Sequence, residues 1–262
     1  MDETLTYIKS LKSARGLLTQ RDSEVYSEPS WVRITTITMT SKFESDGGFD
    51  LAKFKVGMKK LGKVRIRNKN SKFSGFEWSM KDTTFYNQVT VSYRDFYSNK
   101  SVKMFPNGSI QAAGCASLVD CHRVLAQLRE LVRIVLEMEK VVPTLPPTIQ
   151  MINTNFSLNS SVNLRKVITK FESDERFDVT FNPDKYSAVK IKFEPRPGMK
   201  KVTGSIFSTG KVIVTGARTL QEIVGAYEII NTLITGVERV EKSPVKDTFE
   251  IFLGVKFADW KL

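Results

Sequence analysis

A β-hairpin, a glycine and a long amphipathic helix occur twice in this chain, and that duplication limits what it can fold into. The later copy reads S-I-F-S-T-G-K-V-I-V-T-G-A from Ser205 to Ala217. Ser208-Thr-Gly-Lys211 predicts a two-residue hairpin turn with Gly210 at positive φ, flanked by the β-branched and aromatic residues that paired strands favour. Alternation places Ser205, Phe207, Ile213 and Thr215 on one face. Gly216-Ala217 is expected to stop the strand. Thr219-x-x-Glu222 has the form of a capping box, and apolar residues at 220, 223, 224, 227, 230 and 234 predict the helix. The earlier copy, M-F-P-N-G-S-I-Q-A-A-G-C from Met104 to Cys115, leads into a helix expected over 117–140. Phe105, Gly108 and Gly114 precede Phe207, Gly210 and Gly216 by 102 residues, and Tyr86-Asn-Gln-Val-Thr-Val precedes Tyr186-Ser-Ala-Val-Lys-Ile by 100. A period near 100 residues is too long for a solenoid and implies a duplicated domain with pseudo-twofold symmetry.

The net charge of +12 points to a polyanionic partner, namely DNA, RNA or an anionic membrane surface. The membrane is the weakest of these, because no run of about 18 apolar residues exists. Met1-Asp-Glu-Thr-Leu is acidic and does not start a signal peptide. Two cysteines cannot make a disulfide framework, so a reducing compartment is expected. With 262 residues, 41% of them hydrophobic, the chain can bury a large core.

Taken in order, residues 1–30 form an N-terminal extension with a short helical pattern over 1–24, which either caps the fold or docks a partner. The first repeat spans 31–141 and opens with W-V-R-I-T-T-I-T-M-T, whose mate is Ile149 to Leu158. Short helices are expected over 49–60 and 161–173. Lys59 to Lys72 carries seven basic residues and no acid, reading equally as a solvated strand or as an arm on phosphates. Phe76, Trp78, Tyr93 and Tyr97 could stack on bases or pack a core. Val142 to Pro147 is the linker, since three prolines in its last five positions oppose helix and central strand. The second repeat spans 148–237, with an extra loop over Arg196 to Lys201, and 238–262 form a C-terminal extension in which Phe249 to Leu253 could be a strand.

Catalytic constellations are missing. His122, the sole histidine, lies in a predicted helix. Cys115-x5-Cys121-His122 lacks the second ligand pair of a zinc site, and neither a phosphate loop nor a dinucleotide fingerprint occurs. The reading is of a non-enzymatic protein with no cofactor and no metal.

Asn182-Pro-Asp-Lys-Tyr-Ser-Ala-Val, Glu194-Pro195 and Ile206-Phe-Ser-Thr-Gly-Lys-Val-Ile-Val-Thr-Gly-Ala-Arg resemble the repeat signature of the TATA-box-binding protein family. The resemblance covers 148–236 directly and 31–140 through the duplicated pattern. It implies an α+β saddle of two pseudo-symmetric repeats, a curved antiparallel sheet with long helices on its convex face. The concave face of such a saddle enters the DNA minor groove, where aromatics wedge between base steps; this family is itself the standard example of that device, so the bend is inherited from the resemblance. Carried over position by position, the wedges are Phe105 and Phe207 with Tyr86 and Tyr186 beside them. The groove floor comprises Val32, Ile34, Lys103, Gln111 and Ala113 in the first repeat, and Met151, Asn153, Ser205, Ile213 and Thr215 in the second.

The floor departs from the family pattern. Asparagines expected in each opening strand are replaced in Val32-Arg-Ile34 and Met151-Ile-Asn153. An apolar floor rejects G·C because the guanine amino group is buried without an acceptor, and Gln111 and Asn153 could supply one. Relaxed preference for TATA, with tolerance of G·C, is therefore expected. The phosphate clamps Lys192, Lys211 and Arg218 match the family, whereas the first repeat has Ser92, Ser109 and Ala116, leaving Arg94 or the basic run to substitute. The resemblance further implies a monomer that nucleates transcription initiation, with a divergent factor IIB-like protein and RNA polymerase machinery as partners. The expected location is the nucleus, or a virus factory if the gene is viral. Its rivals are an architectural or repressive DNA binder of the same fold and a protein-interaction scaffold that no longer binds DNA.

Overall fold

The computed structural model describes residues 29–44, 48–67, 75–81, 87–95, 99–234, 237 and 239–241. Two compact units share them: one covers 36–150, the other combines the chain up to 35 with the chain from 151 onward.

The first unit contains most of β1 (Arg33–Lys42), then α1 (Leu51–Leu61), β2 (Lys63–Arg67), β3 (Gly75–Met80), β4 (Val89–Arg94), β5 (Asn99–Met104), β6 (Ser109–Cys115) and α2 (Leu118–Val135). Its strands are antiparallel in the order β2-β3-β4-β5-β6-β1. Alternation drives the layering: Val89, Val91, Tyr93, Val102, Met104, Ile110 and Ala112 are buried on the face that the helices cover. Ser117 caps α2 by accepting from the Asp120 N–H at 3.1 Å, and the Asp120 carboxylate returns to the Ala116 N–H at 2.8 Å. Under the start of α2, Lys100 Nζ lies 3.2 Å from both Asp95 and Asp120, and Arg123 joins the same carboxylates at 2.8 and 2.6 Å. Tyr93 packs beside this group, and burial, reinforced by Asp95, pushes its phenol well above the ordinary range.

The second unit holds β7 (Thr148–Ser157), β8 (Ser160–Val162), α3 (Leu164–Glu172), β9 (Asp178–Asn182), β10 (Tyr186–Phe193), β11 (Val202–Phe207), β12 (Lys211–Ala217), α4 (Leu220–Ile234) and β13 (Arg239–Glu241). The strand order is β7-β12-β11-β10-β9, with β8 and β13 paired separately. Both halves of the expected capping box are present: the Glu222 N–H donates to Thr219 Oγ1, and the Thr219 N–H to Glu222 Oε2, each at 3.2 Å. Ile223, Val224, Tyr227, Ile230 and Ile234 of α4 are buried, as are Val189, Ile191, Ile206, Val212 and Val214 on the strands beneath.

Two expectations about local form are corrected. The turn at Ser208-Thr-Gly-Lys211 is not of two residues: Gly210 N–H bonds Phe207 O at 2.8 Å and residues 208–210 separate β11 from β12, and in the first hairpin Phe105 N–H bonds Ser109 O and Gly108 N–H bonds Phe105 O, each at 3.0 Å, around the same three-residue loop. Each glycine, at φ +80°, follows a tight turn, the form a three-residue hairpin takes, and at Gly210 a Cβ would collide with the Ser160 carbonyl. The strands do end where the glycines predict, β6 at Cys115 and β12 at Ala217. At φ +99° and +91° Gly114 and Gly216 also sit where the pairing of β6 with β1 and of β12 with β7 shifts register, so each is a bulge just before the strand ends. Finally, α2 ends at Val135, short of 140. Met138 N–H bonds Arg133 O at 2.9 Å and Glu137 N–H bonds Ile134 O at 3.3 Å, a Schellman stop built on Glu137 at φ +54° with no glycine to announce it.

The proline segment is not slack. Within the first unit Leu145 N–H bonds Lys42 O at 2.9 Å, Glu44 N–H bonds Pro143 O at 2.9 Å, and Ser41 Oγ donates to Leu145 O at 2.6 Å. The helical pattern of 1–24, Tyr86, Tyr97, the basic residues beyond Arg67 up to Lys72, and Phe249 to Trp260 lie outside the described residues.

Candidate nucleic-acid interface

The alternation that buries one face of each set of strands leaves the other without a helix among the described residues. In the first unit that open face carries Thr38 and Thr40 of β1, Gln111 and Ala113 of β6, and Ser101 and Lys103 of β5. Register joins them in rows: Thr40 pairs Gln111, which pairs Lys103, which pairs Thr90, while Thr38 pairs Ala113, which pairs Ser101. The Gln150 amide donates to Thr40 Oγ1 at 2.9 Å, within the same unit. In the second unit Asn155 pairs Ile213, which pairs Ser205, which pairs Lys190, and Thr215 pairs Thr203, which pairs Lys192. These faces are rich in hydroxyls and amides, with Ile213 and Met151 as apolar members.

The aromatic pair of the second unit is assembled. Tyr186 opens β10 and Phe207 closes β11, with ring centroids 5.6 Å apart and planes inclined at 67°. Tyr186 is 38% exposed. Lys190 Nζ lies 4.6 Å from the Tyr186 ring centroid, a cation–π contact. In the first unit Phe105 is half-buried at the equivalent hairpin.

The remaining predicted residues are spread more widely. Met151 and Asn153 share a face of β7 with Asn155. Ile34 is half-buried at the start of β1, but Val32 precedes that strand and is only 6% exposed. Lys192 and Lys211 are exposed, opposite Thr203 and Ser157 respectively. Arg218 is exposed where β12 gives way to α4, its N–H held by Glu222 Oε2 at 2.6 Å. The second Glu222 oxygen accepts from the Lys200 N–H at 3.1 Å, so the added loop is drawn to the same spot. Arg94 is exposed at the end of β4.

The sequence-level alternatives for the aromatics and the basic run are narrowed by contacts. Trp78 and Tyr93 are fully buried with centroids 4.7 Å apart, and Phe76 stacks on Tyr93 at 5.6 Å, so these pack a core. Lys63 and Arg65 face Glu77 at 3.5 and 2.9 Å, and these contacts hold the Glu77 carboxyl below its ordinary range, the Arg65 hydrogen bond most of all. Sequence reasoning missed Thr38, Thr40, Asn155 and Lys190. Lys190 was within reach, since Tyr186 and Lys192 fix the face of every second residue between them. His122 is exposed on α2, Cys115 and Cys121 are buried free thiols, and no cluster of three or more metal-ligating side chains occurs among the described residues. No helix among them is long and apolar enough to cross a membrane.

The described residues thus form two antiparallel α+β repeats, each with an aromatic at its hairpin and basic residues around its open face. The family described as transcription factor TFIID, or TATA-binding protein, matches residues 146–236. A TATA-box-binding protein-like protein of Acanthamoeba polyphaga mimivirus is 25% identical over 270 residues, covering 88% of this chain and 70% of that protein. The structure of Methanococcus jannaschii TBP superposes with a TM-score of 0.53 at 16% identity, covering 79% of this chain and 99% of that one. This chain therefore has the α+β fold of the TATA-binding proteins, and its residues 146–236 are similar in sequence to that family.

Proposed function

We propose that this protein is a DNA-binding transcription factor whose open strands enter the minor groove and whose aromatics, Phe207 with Tyr186 and Phe105 with Tyr86, wedge between base steps to bend promoter DNA. The observation that carries the reading is the Tyr186–Phe207 pair, with Tyr186 exposed and Phe207 half-buried at adjoining strand ends beside the open face. Buried aromatics serve a core, but a tyrosine left in water beside a phenylalanine at a sheet margin serves a surface. Lys192, Lys211 and Arg218 supply phosphate contacts, and Arg94 does so in the first repeat.

Hydroxyls and amides on the floor, Gln111 and Asn153 foremost, offer acceptors to a guanine amino group, so site preference extends from TATA to sequences containing G·C pairs. The protein acts by binding, as a monomer in the nucleus or in a virus factory. Anisotropy with labelled TATA and G·C-containing duplexes at two salt concentrations tests this. Selective binding lost in Phe207→Ala and Phe105→Ala supports the wedge. A TATA duplex bound at least tenfold tighter than every G·C duplex removes the altered preference, and weak binding insensitive to both substitutions removes the wedge.

Recruitment of a divergent factor IIB-like protein and of polymerase is part of the same proposal. The turn between β9 and β10, Asn182-Pro-Asp-Lys185, carries a single acid, so its partner need not be a standard factor IIB. Pull-down on preformed DNA complexes separates this role from that of an architectural or repressive binder.

A further inference from the structure

The two open faces share a feature that duplication alone does not explain. In the first repeat Lys103 of β5 stands directly opposite Thr90 of β4; in the second, Lys190 of β10 stands directly opposite Ser205 of β11. Repeat spacing equates Thr90 with Lys190, 100 residues on, and Lys103 with Ser205, 102 residues on. Each repeat therefore keeps one lysine facing one hydroxyl residue in the same cross-strand pair, with the strand that supplies the lysine exchanged. A scatter of surface lysines has no reason to reproduce a pair in mirrored form.

Its place is also the same in both. Lys103 and Ser205 lie two residues before Phe105 and Phe207 on their strands, hence on the same face. Across the next strand from Lys103 and Ser205 are Gln111 and Ile213, so Lys103 adjoins the floor directly while Lys190 lies one strand further out, beyond Ser205 and beside Tyr186. Thr90 and Ser205 are buried, which keeps the opposing residue short and leaves the lysine as the long group of the pair. Val102 and Met104, and Val189 and Ile191, are buried behind, so the stems of Lys103 and Lys190 lie on the open side. Lys190 Nζ is already held over the Tyr186 ring.

We propose that Lys103 and Lys190 are specificity-determining residues that read base edges in the minor groove beside each wedge. The inference rests on the wedge reading given above. An ammonium has three donors and no acceptor, so it suits adenine N3 and the O2 of thymine or cytosine and is opposed by the guanine amino group. Acceptance of G·C by the floor therefore stops short of the base pairs next to the wedges. A narrow A·T groove, with its deeper negative potential, strengthens the same preference.

The test is binding of the full chain to a TATA duplex in which 3-deazaadenine or 2-thiothymine, each lacking a good groove-facing acceptor, replaces one base at a time. Wild type is expected to weaken about tenfold at one position in each half of the site. Lys190→Met should abolish the sensitivity in one half and Lys103→Met that in the other, each leaving the second intact. Equal binding of every analogue duplex by wild type overturns the proposal. So do lysine variants that weaken all duplexes alike with a salt slope shallower by about one, since that is the behaviour of a phosphate contact. If wild type binds the unmodified duplex but without wedge dependence, the wedge reading fails first, and separately.

Discussion

Single residues divide here into those that hold the repeat together and those that the proposed function turns toward DNA. Lys211 is a facing residue, at a strand start with its side chain in solvent. Lys211→Ala should weaken all DNA sequences to the same degree and make the salt slope shallower by about one, read from anisotropy titrations at several salt concentrations. Lys100 belongs to the other class, with a fully buried side chain between Asp95 and Asp120. Lys100→Met leaves those carboxylates short of a buried cation, with Arg123 still in contact, and should cost about 3–5 kcal/mol in denaturant unfolding, with partial recovery when Asp95→Asn is added. The same acid position, Asp120 in one repeat and Glu222 in the other, turns inward to Lys100 in the first and to the Lys200 N–H in the second. That difference gives a structural counterpart to the missing clamps of the first repeat: its cation near the helix start is buried, whereas Arg218 is exposed. Which acid does which was not legible in the sequence, because Ser-x-x-Asp and Thr-x-x-Glu read alike as caps.

At the scale of elements, local pattern placed the helices and hairpins but not their ends. Asn and Ser-Thr before a glycine are turn signals for loops of either two or three residues, and only the register of the paired strands selects three. A glycine at the end of a β-run reads as a stop, and both strands do end there; that the glycine is also a bulge is set by the partner strand. The end of α2 had no signal at all, since Glu137 occupies a left-handed position that glycine usually fills. Glu137→Gly should therefore stabilise the first unit by up to roughly 1 kcal/mol, measured as a raised midpoint in urea, because a residue with Cβ is strained there. Gly57 in α1 shows the opposite case: its Cβ would lie 2.6 Å from Val135 O and 2.7 Å from Val135 Cγ1. Gly57→Ala, favourable for an isolated helix, should instead destabilise by about 1–3 kcal/mol through displacement of α2.

For the whole molecule, the proposed function predicts a bend that depends on both repeats. A duplex labelled at its ends should show raised energy transfer on binding, with the change reduced in Phe105→Ala and in Phe207→Ala and lost in the double variant; a change that survives both substitutions would assign bending to other groups. The sequence by itself determined the duplication, the capping box of α4 and the positive charge, because each is a local pattern or a sum over residues, and the family resemblance supplied the α+β class. It also placed Tyr186 and Phe207 at adjoining strand ends. Tertiary structure decided which side chains share a row: that Thr40 rather than Val32 lies beside Gln111, that Trp78 and Tyr93 serve the core, and that Lys103 and Lys190 occupy matched places from exchanged strands. Those relations depend on strand register and bulges, which pair residues far apart in the chain and leave no mark on either partner alone.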